Sequence, residues 1–310
     1  MTIVCATDRL PKSEAAIECA SLLADQLSMD ITLLHVVAPG AAARTLEEAL
    51  LAAHAQMKAR AQPPLWRGVR LPSLAVRTGN PARLILETME HSRARLLVLG
   101  PHRKRPLRDS LEGTIAEKAL AARQCPVLIV QSGSQSPYSR ALLALDLSAA
   151  SACALRAAEL LVLAPQVDAQ IVHARDSAYE ETLQSHGSGS ESERDHRTDS
   201  ESEALQALRE TFADESADFA RYQVRIEPHQ PVVAILRAVD LFQPDILVMG
   251  TRGGGRLHRA LLGSVANRVL HEVACDILIV PEGSVEKPDI AVTPRAVAKE
   301  RPSAREDMRT

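Results

Sequence analysis

The sequence predicts an α/β protein of two tandem, doubly wound domains, each around a parallel sheet. Three observations carry this expectation: an internal duplication, short unbroken apolar runs in each copy, and amphipathic helix patterns between those runs. The chain has 310 residues, about twice the roughly 150 of a typical domain, so comparison of the chain with itself comes first. LVLGPHRKRPLRDSLEGTIAEKALAARQCPVLIV, residues 97–130, lies without gaps on LVMGTRGGGRLHRALLGSVANRVLHEVACDILIV, residues 247–280, with 12 of 34 positions identical at an offset of 150. Pro81 and Pro231 share that offset, whereas Asp8 with Asp146 and His35 with His173 pair at an offset of 138. The second copy has therefore gained twelve residues between His173 and Pro231.

The elements come in the same order in both copies. Runs rich in Val, Ile and Leu at 2–6, 31–37, 96–100 and 126–130 recur at 141–145, 169–173, 245–249 and 276–280. Unbroken apolar runs of this length suit strands covered on both faces, as in a parallel sheet. SEAAIECASLLADQL and SAASACALRAAELLVL carry apolar residues three and four apart, with Ser13 and Ser148 placed as N-caps. Strand alternating with helix specifies right-handed crossovers, and ligands of such sheets sit beyond the carboxyl ends of the strands. Each copy closes on a short apolar strand, CPVLIV at 125–130 and CDILIV at 275–280, an exposed edge in an isolated domain. Pairing the two edges covers both, which predicts an intramolecular pseudo-dimer.

The expected organisation is a first domain over 1–131, a connector over 132–139, a second domain over 140–282 and a disordered tail over 283–310 with three prolines and no apolar periodicity. Residues 185–203, SHGSGSESERDHRTDSESE, hold six serines, two glycines and no apolar residue, and are expected to form a mobile surface loop.

Composition narrows the function. The apolar runs fall far short of the roughly 18 residues that span a bilayer, so no membrane insertion is expected. MTIVCATDRL has no basic leader, long apolar stretch or small-residue cleavage site, which predicts a chain that is not secreted. Five scattered cysteines, with no CxxC or Cys/His cluster, read as free thiols in a reducing cytoplasm and not as metal ligands. Thirty-six basic against thirty-nine acidic residues create no global field for nucleic acid, and one Trp, three Tyr and three Phe offer few stacking surfaces. Nucleic-acid binding is disfavoured. The ten histidines show no metal-site spacing, and His35 with His173 read as satisfied, partly buried imidazoles.

The motif that carries chemistry is G-x2-G-x9-G-S: Gly250, Gly253, Gly263 and Ser264. Gly250 lets the chain turn off the preceding strand without a Cβ, and Gly253 keeps the loop backbone open to a closely approaching ligand. Gly263 and Ser264 begin the helix GSVANRVLHEV, whose free N–H groups and positive dipole end suit an anion, with Ser264 adding a hydroxyl. A phosphate chain fits between loop and helix; a flexible loop with a capping serine fits the same spacing. In the first copy Gly100, Gly113 and Thr114 remain, but Arg103 replaces the second glycine, and its bulk is expected to obstruct a phosphate. Arg103, Lys104, Arg105 and Arg108 read as a solvated basic loop. There is no G-x4-G-K-[S/T] lysine and no nucleophile elbow, so no catalytic residue is assigned.

In this motif the sequence resembles the universal stress protein family, in which G-x2-G-x9-G-[S/T] marks ATP-binding members. The resemblance covers both copies and extends to ATD at 6–8 and ALDLS at 144–148, the LLHV-like second strand, and CPVLIV. It implies an adenine nucleotide alpha hydrolase-like fold with flavodoxin-like layering, a doubly wound parallel five-stranded sheet in each domain. It also implies that Asp146 lies against the nucleoside, that Ala174 lines the adenine pocket by its backbone, and that Met249 packs nearby. Gly250, Arg252, Gly253, Gly263, Ser264 and Val265 would hold ribose and phosphates. A turn carboxylate at a helix start is the other reading of Asp146. The resemblance thus implies a cytoplasmic, ATP-binding sensor or regulatory module, with or without Mg²⁺, its nucleotide in the second domain and an unidentified protein partner. A slow ATPase or adenine-nucleotide hydrolase, or a nucleotide-independent scaffold, uses the same features, and a homodimer of whole chains stays open.

Overall fold

The computed structural model describes residues 1–8, 10, 13–37, 46–60, 71–101, 114–131, 138–175, 191–215, 219–251 and 262–286. The first copy contributes β1 (Thr2–Thr7), α1 (Glu14–Leu27), β2 (Asp30–Val37), α2 (Leu46–Arg60), β3 (Ser73–Thr78), α3 (Pro81–Ser92), β4 (Ala94–Leu99), α4 (Ile115–Ala122) and β5 (Val127–Ile129). The second contributes β6 (Arg140–Ala144), α5 (Ala149–Leu161), β7 (Asp168–Ala174), α6 (Glu191–Phe212), β8 (Gln223–Glu227), α7 (Pro231–Phe242), β9 (Ile246–Gly250), α8 (Ser264–Glu272) and β10 (Asp276–Val280).

These strands form one ten-stranded sheet in the order β3-β2-β1-β4-β5-β10-β9-β6-β7-β8. Within each half the pairing is parallel, and the halves meet where β5 runs antiparallel to β10. Ile129 faces Ile277, Leu128 faces Leu278 and Val127 faces Ile279. Leu128 and Leu278 are equivalent residues, 150 apart, so a pseudo-twofold axis passes between them. The predicted closure of the two apolar edges on each other is the observed junction.

Two cores cover the sheet. One face carries α1, α2, α5 and α6, packed through residues such as Ile17, Met57, Leu155 and Phe212. The other carries α3, α4, α7 and α8 through Met89, Leu120, Ile235 and Val269. That each strand is covered twice explains the unbroken apolar runs of β1, β4, β6 and β9.

The outer strands β3 and β8 are only partly buried, and SLAVRT and QVRIE carry polar residues that no continuous apolar run reveals. Each is tied to the helix that comes after it. Arg77 on β3 meets Glu87 on α3 at 3.0 Å, and at the positions 150 later Glu227 on β8 meets Arg237 on α7 at 3.7 Å with the charges exchanged.

Two segments differ from expectation. The backbone is helical from Glu191 to Phe212, so residues 191–203 are helix where a mobile loop was expected; residues 185–190 lie outside the described residues. Leu208 and Phe212 are fully buried, and Phe212 stacks on Phe219 with ring centroids 6.1 Å apart. A helix anchored at its carboxyl end extends through polar residues because propagation needs no new nucleus. Composition alone does not see that anchor. The tail also begins in order: Val285 is buried and its carbonyl accepts from Arg156, which pairs with Glu215, while 287–310 lie outside the described residues. Among the described residues no helix is long and apolar enough to cross a membrane.

Candidate functional site

Asp146 stands in the turn between β6 and α5. Its Oδ1 accepts the Ser148 N–H at 3.1 Å, the Ser151 hydroxyl at 2.7 Å and the Ser148 hydroxyl. Ser148 in turn caps α5 by accepting the Ser151 N–H at 3.2 Å. The first copy repeats the turn: Asp8 accepts the Leu10 N–H at 3.0 Å and the Ser13 hydroxyl. Ser13 occupies the N-cap position of α1 without a side-chain cap bond, because its backbone is already in the right-handed helical region where that of Ser148 is extended, as a capping residue's normally is. The turn-carboxylate geometry is present in both copies, and it places each aspartate at a strand's carboxyl end.

The histidines brace the neighbouring strand. His173 Nδ1 lies 2.8 Å from the Leu145 carbonyl and His35 Nδ1 lies 2.7 Å from that of Thr7, so each ring donates across the end of the first strand of its copy. One residue on, Ala174 ends β7. Leu145 donates to the Val172 carbonyl and Arg175 donates to that of Glu227, so the ladder alternates between β6 and β8. That alternation turns the N–H and C=O of Ala174 toward β6, beyond the last paired residue Ala144. A donor and an acceptor thus face the crevice side by side.

Met249 is buried beneath β9's end. A Cβ on Gly250 would stand 2.9 Å from the carbonyl carbon and the Cβ of Ala150. The need for glycine here therefore comes from the first turn of α5 packing against β9 and not, as the sequence suggested, from the turn off the strand. Thr251 donates to the Val280 carbonyl at 3.0 Å and accepts the Gly263 N–H at 2.8 Å, which clasps the two ends of the intervening loop. Arg252 and Gly253 lie outside the described residues.

The two copies differ most where the next helix starts. α8 has Gly263 as N-cap, with no side-chain cap bond, and Asn267 donates to the Gly263 carbonyl at 2.9 Å. The N–H groups of Ser264, Val265 and Ala266 have no intrahelical acceptor and lie at the positive end of the dipole. α4 instead starts one residue later, at Thr114, inside a capping box: Thr114 Oγ1 accepts the Glu117 N–H at 3.2 Å, and Glu117 Oε2 accepts the Thr114 N–H at 2.6 Å. A carboxylate thus sits where an anion would bind in the first copy, and Asn267 takes that position in the second. Sequence reasoning missed Glu117, although T-x-x-E before an apolar run is a capping-box signature.

Among the described residues no group of three or more His, Cys, Asp or Glu side chains could hold a metal ion, and Asp146 by itself does not make a metal site.

The fold has solved counterparts. A universal stress protein from Archaeoglobus fulgidus shares 20% identity at a TM-score of 0.61, covering 92% of this chain and 97% of that one. A structure described as a putative universal stress protein from Pseudomonas aeruginosa UCBPP-PA14 shares 20% at 0.58, covering 90% and 92%. A protein described as functionally unknown, from Pseudomonas aeruginosa PAO1, shares 18% at 0.59, covering 91% and 92%. No curated protein matches. The family model described as the universal stress protein family matches twice, over residues 1–131 and 137–281, the two halves that the β5–β10 junction joins. With both halves matched and a two-domain fold shared along nearly its whole length, the chain belongs to the universal stress protein family.

Proposed function

We propose that this chain is a cytoplasmic stress-response module that binds ATP in its second copy and uses the bound nucleotide as a conformational signal. The observation that carries the reading is the asymmetry of the two helix starts: α8 offers uncapped N–H groups behind the G-x2-G-x9-G-S loop, whereas the α4 start is filled by Glu117. Phosphates would rest on the α8 N–H groups and the Ser264 hydroxyl, with the adenine edge toward the Ala174 backbone and the ribose toward Asp146. Binding would bias the loop between Thr251 and Gly263 toward one ordered state.

Hydrolysis is expected to be slow or absent. In-line attack needs an oriented water and charge stabilisation at the transferring group, and neither a base nor a P-loop lysine is present in the motif. The test is calorimetric titration of purified chain with ATP. One site per chain, lost in Gly253→Arg, supports the reading, while two equal sites or unchanged affinity in the variant would overturn it. Nucleotide released on denaturation decides the mode: ATP indicates a switch, ADP or AMP indicates turnover, and none indicates a scaffold.

A further inference from the structure

The junction between the two copies is symmetric in backbone and asymmetric in chemistry. Asp276, at the start of β10, is fully buried. Its Oδ1 accepts the Gln131 N–H at 2.8 Å, and its Oδ2 accepts the Tyr138 hydroxyl at 2.8 Å, with the Cys19 thiol 3.2 Å from that hydroxyl. Gln131 also donates its side-chain amide to the Val273 and Cys275 carbonyls, at 3.1 and 3.3 Å. One carboxylate therefore gathers the residue where the first copy ends and the residue where the second begins.

The pseudo-twofold axis takes Asp276 to Pro126 and Gln131 to Pro281, each 150 residues apart. Proline has no N–H to give, and its ring carries no acceptor. The donor and the acceptor are thus divided between the copies, and on the opposite side of the axis both positions are apolar. We infer that this division specifies heterotypic pairing: β5 fits β10 and neither strand fits a second copy of itself. In a β10–β10 pairing of two chains, each buried Asp276 would face Pro281 and lack its N–H donor. In a β5–β5 pairing, each Gln131 N–H would face Pro126 and lack its carboxylate. A fully buried carboxylate that loses this N–H, and keeps the Tyr138 hydroxyl of its own copy on the other oxygen, is costly enough to disfavour the first arrangement. The last-strand edge is therefore a surface for the other copy in the same chain, and whole chains do not associate through it. This inference does not depend on nucleotide binding.

The experiment compares full-length wild type, Asp276→Val, Asp276→Asn and Gln131→Pro by sedimentation over a wide concentration range and by hydrogen exchange at Val127–Ile129 and Ile277–Ile279. Wild type and Asp276→Asn, which keeps an acceptor, should be monomers with protected strands. Asp276→Val and Gln131→Pro should form concentration-dependent dimers or exchange those amides about tenfold faster or more, as expected for loss of a hydrogen bond to a charged group. If Asp276→Val does not fold, Gln131→Pro decides, because it copies the second copy's own residue onto a position outside any strand. Both variants remaining monomeric with wild-type protection, or wild type dimerising through opened β5 and β10, overturns the inference.

Discussion

Gly250→Ala adds one methyl group at the meeting point of β9 and α5. That carbon would lie 2.9 Å from the carbonyl carbon and the Cβ of Ala150 and 3.1 Å from its carbonyl oxygen. Non-bonded carbons settle at about 3.5–4.0 Å, so the helix start must retreat by about half an ångström or more. Two of the three contacts are with backbone, which no rotamer change relieves. Overpacking of this kind costs about 1–3 kcal/mol. At about 2–4 °C per kcal/mol for a unit of this size, the melting temperature should fall by about 2–12 °C. The retreat also disturbs the Asp146 turn, whose carboxylate hangs on Ser148 and Ser151, so ATP affinity should fall as well. Urea unfolding followed by circular dichroism reads the stability, and titration reads the affinity. Adding Ala150→Gly should restore only part of the loss, since the carbonyl-carbon contact remains. A Gly250→Ala chain within about 0.5 kcal/mol of wild type, the range of neutral surface changes, would refute the packing argument.

Arg103→Gly combined with Glu117→Asn should raise ATP stoichiometry from one to two per chain, because both obstacles in the first copy are removed; stoichiometry unchanged by calorimetry would mean that its site was lost for another reason. Phe212→Ala should cost about 3–5 kcal/mol and reduce helical signal from α6, and a loss under about 1 kcal/mol in urea unfolding would contradict the anchoring role. Asp245 is opposed by burial, but hydrogen bonds from the Ser139 hydroxyl and the Ser139 and Arg140 N–H groups hold its carboxyl below the usual carboxylate range. Its folded pKa is depressed, so its contribution is present above the unfolded value and lost as pH falls through the folded one: the stability difference between wild type and Asp245→Asn should shrink below about pH 4. Burial pushes the thiols of Cys19 and Cys125 up to about 12, so a thiol reagent at pH 8 should label them only on unfolding, and fast labelling of the native chain would contradict their burial.

Much of this molecule is legible in one dimension because its signals are local or repeated. The runs that become β1, β4, β6 and β9 are apolar because each is covered on both faces, a demand every residue of a central parallel strand meets on its own. The 150-residue offset predicted two similar units, and the shared apolar endings predicted that β5 and β10 would meet. The spacing of Gly263 and Ser264 marked the start of α8 because an N-cap and an uncapped first turn are properties of neighbouring residues. Glu117 carries an equally local signal, and it goes unseen when Arg103 alone is taken as the obstacle in the first copy.

What tertiary structure decided involves partners that neither spacing nor composition relates. β3 and β8 are edge strands, half-covered and held by ion pairs to α3 and α7, so no apolar run announces them. α6 extends through a serine-rich, charged stretch because Phe212 and Leu208 find the core at its far end. Gly250 is required by Ala150, and Asp276, a lone acid in an apolar strand, is satisfied by Gln131 from across the junction and by Tyr138 from the start of its own copy. Periodicity reports how a residue sits relative to its own element. Close contacts and the satisfaction of buried polar groups depend on where distant elements come to rest, and only the packed chain determines that.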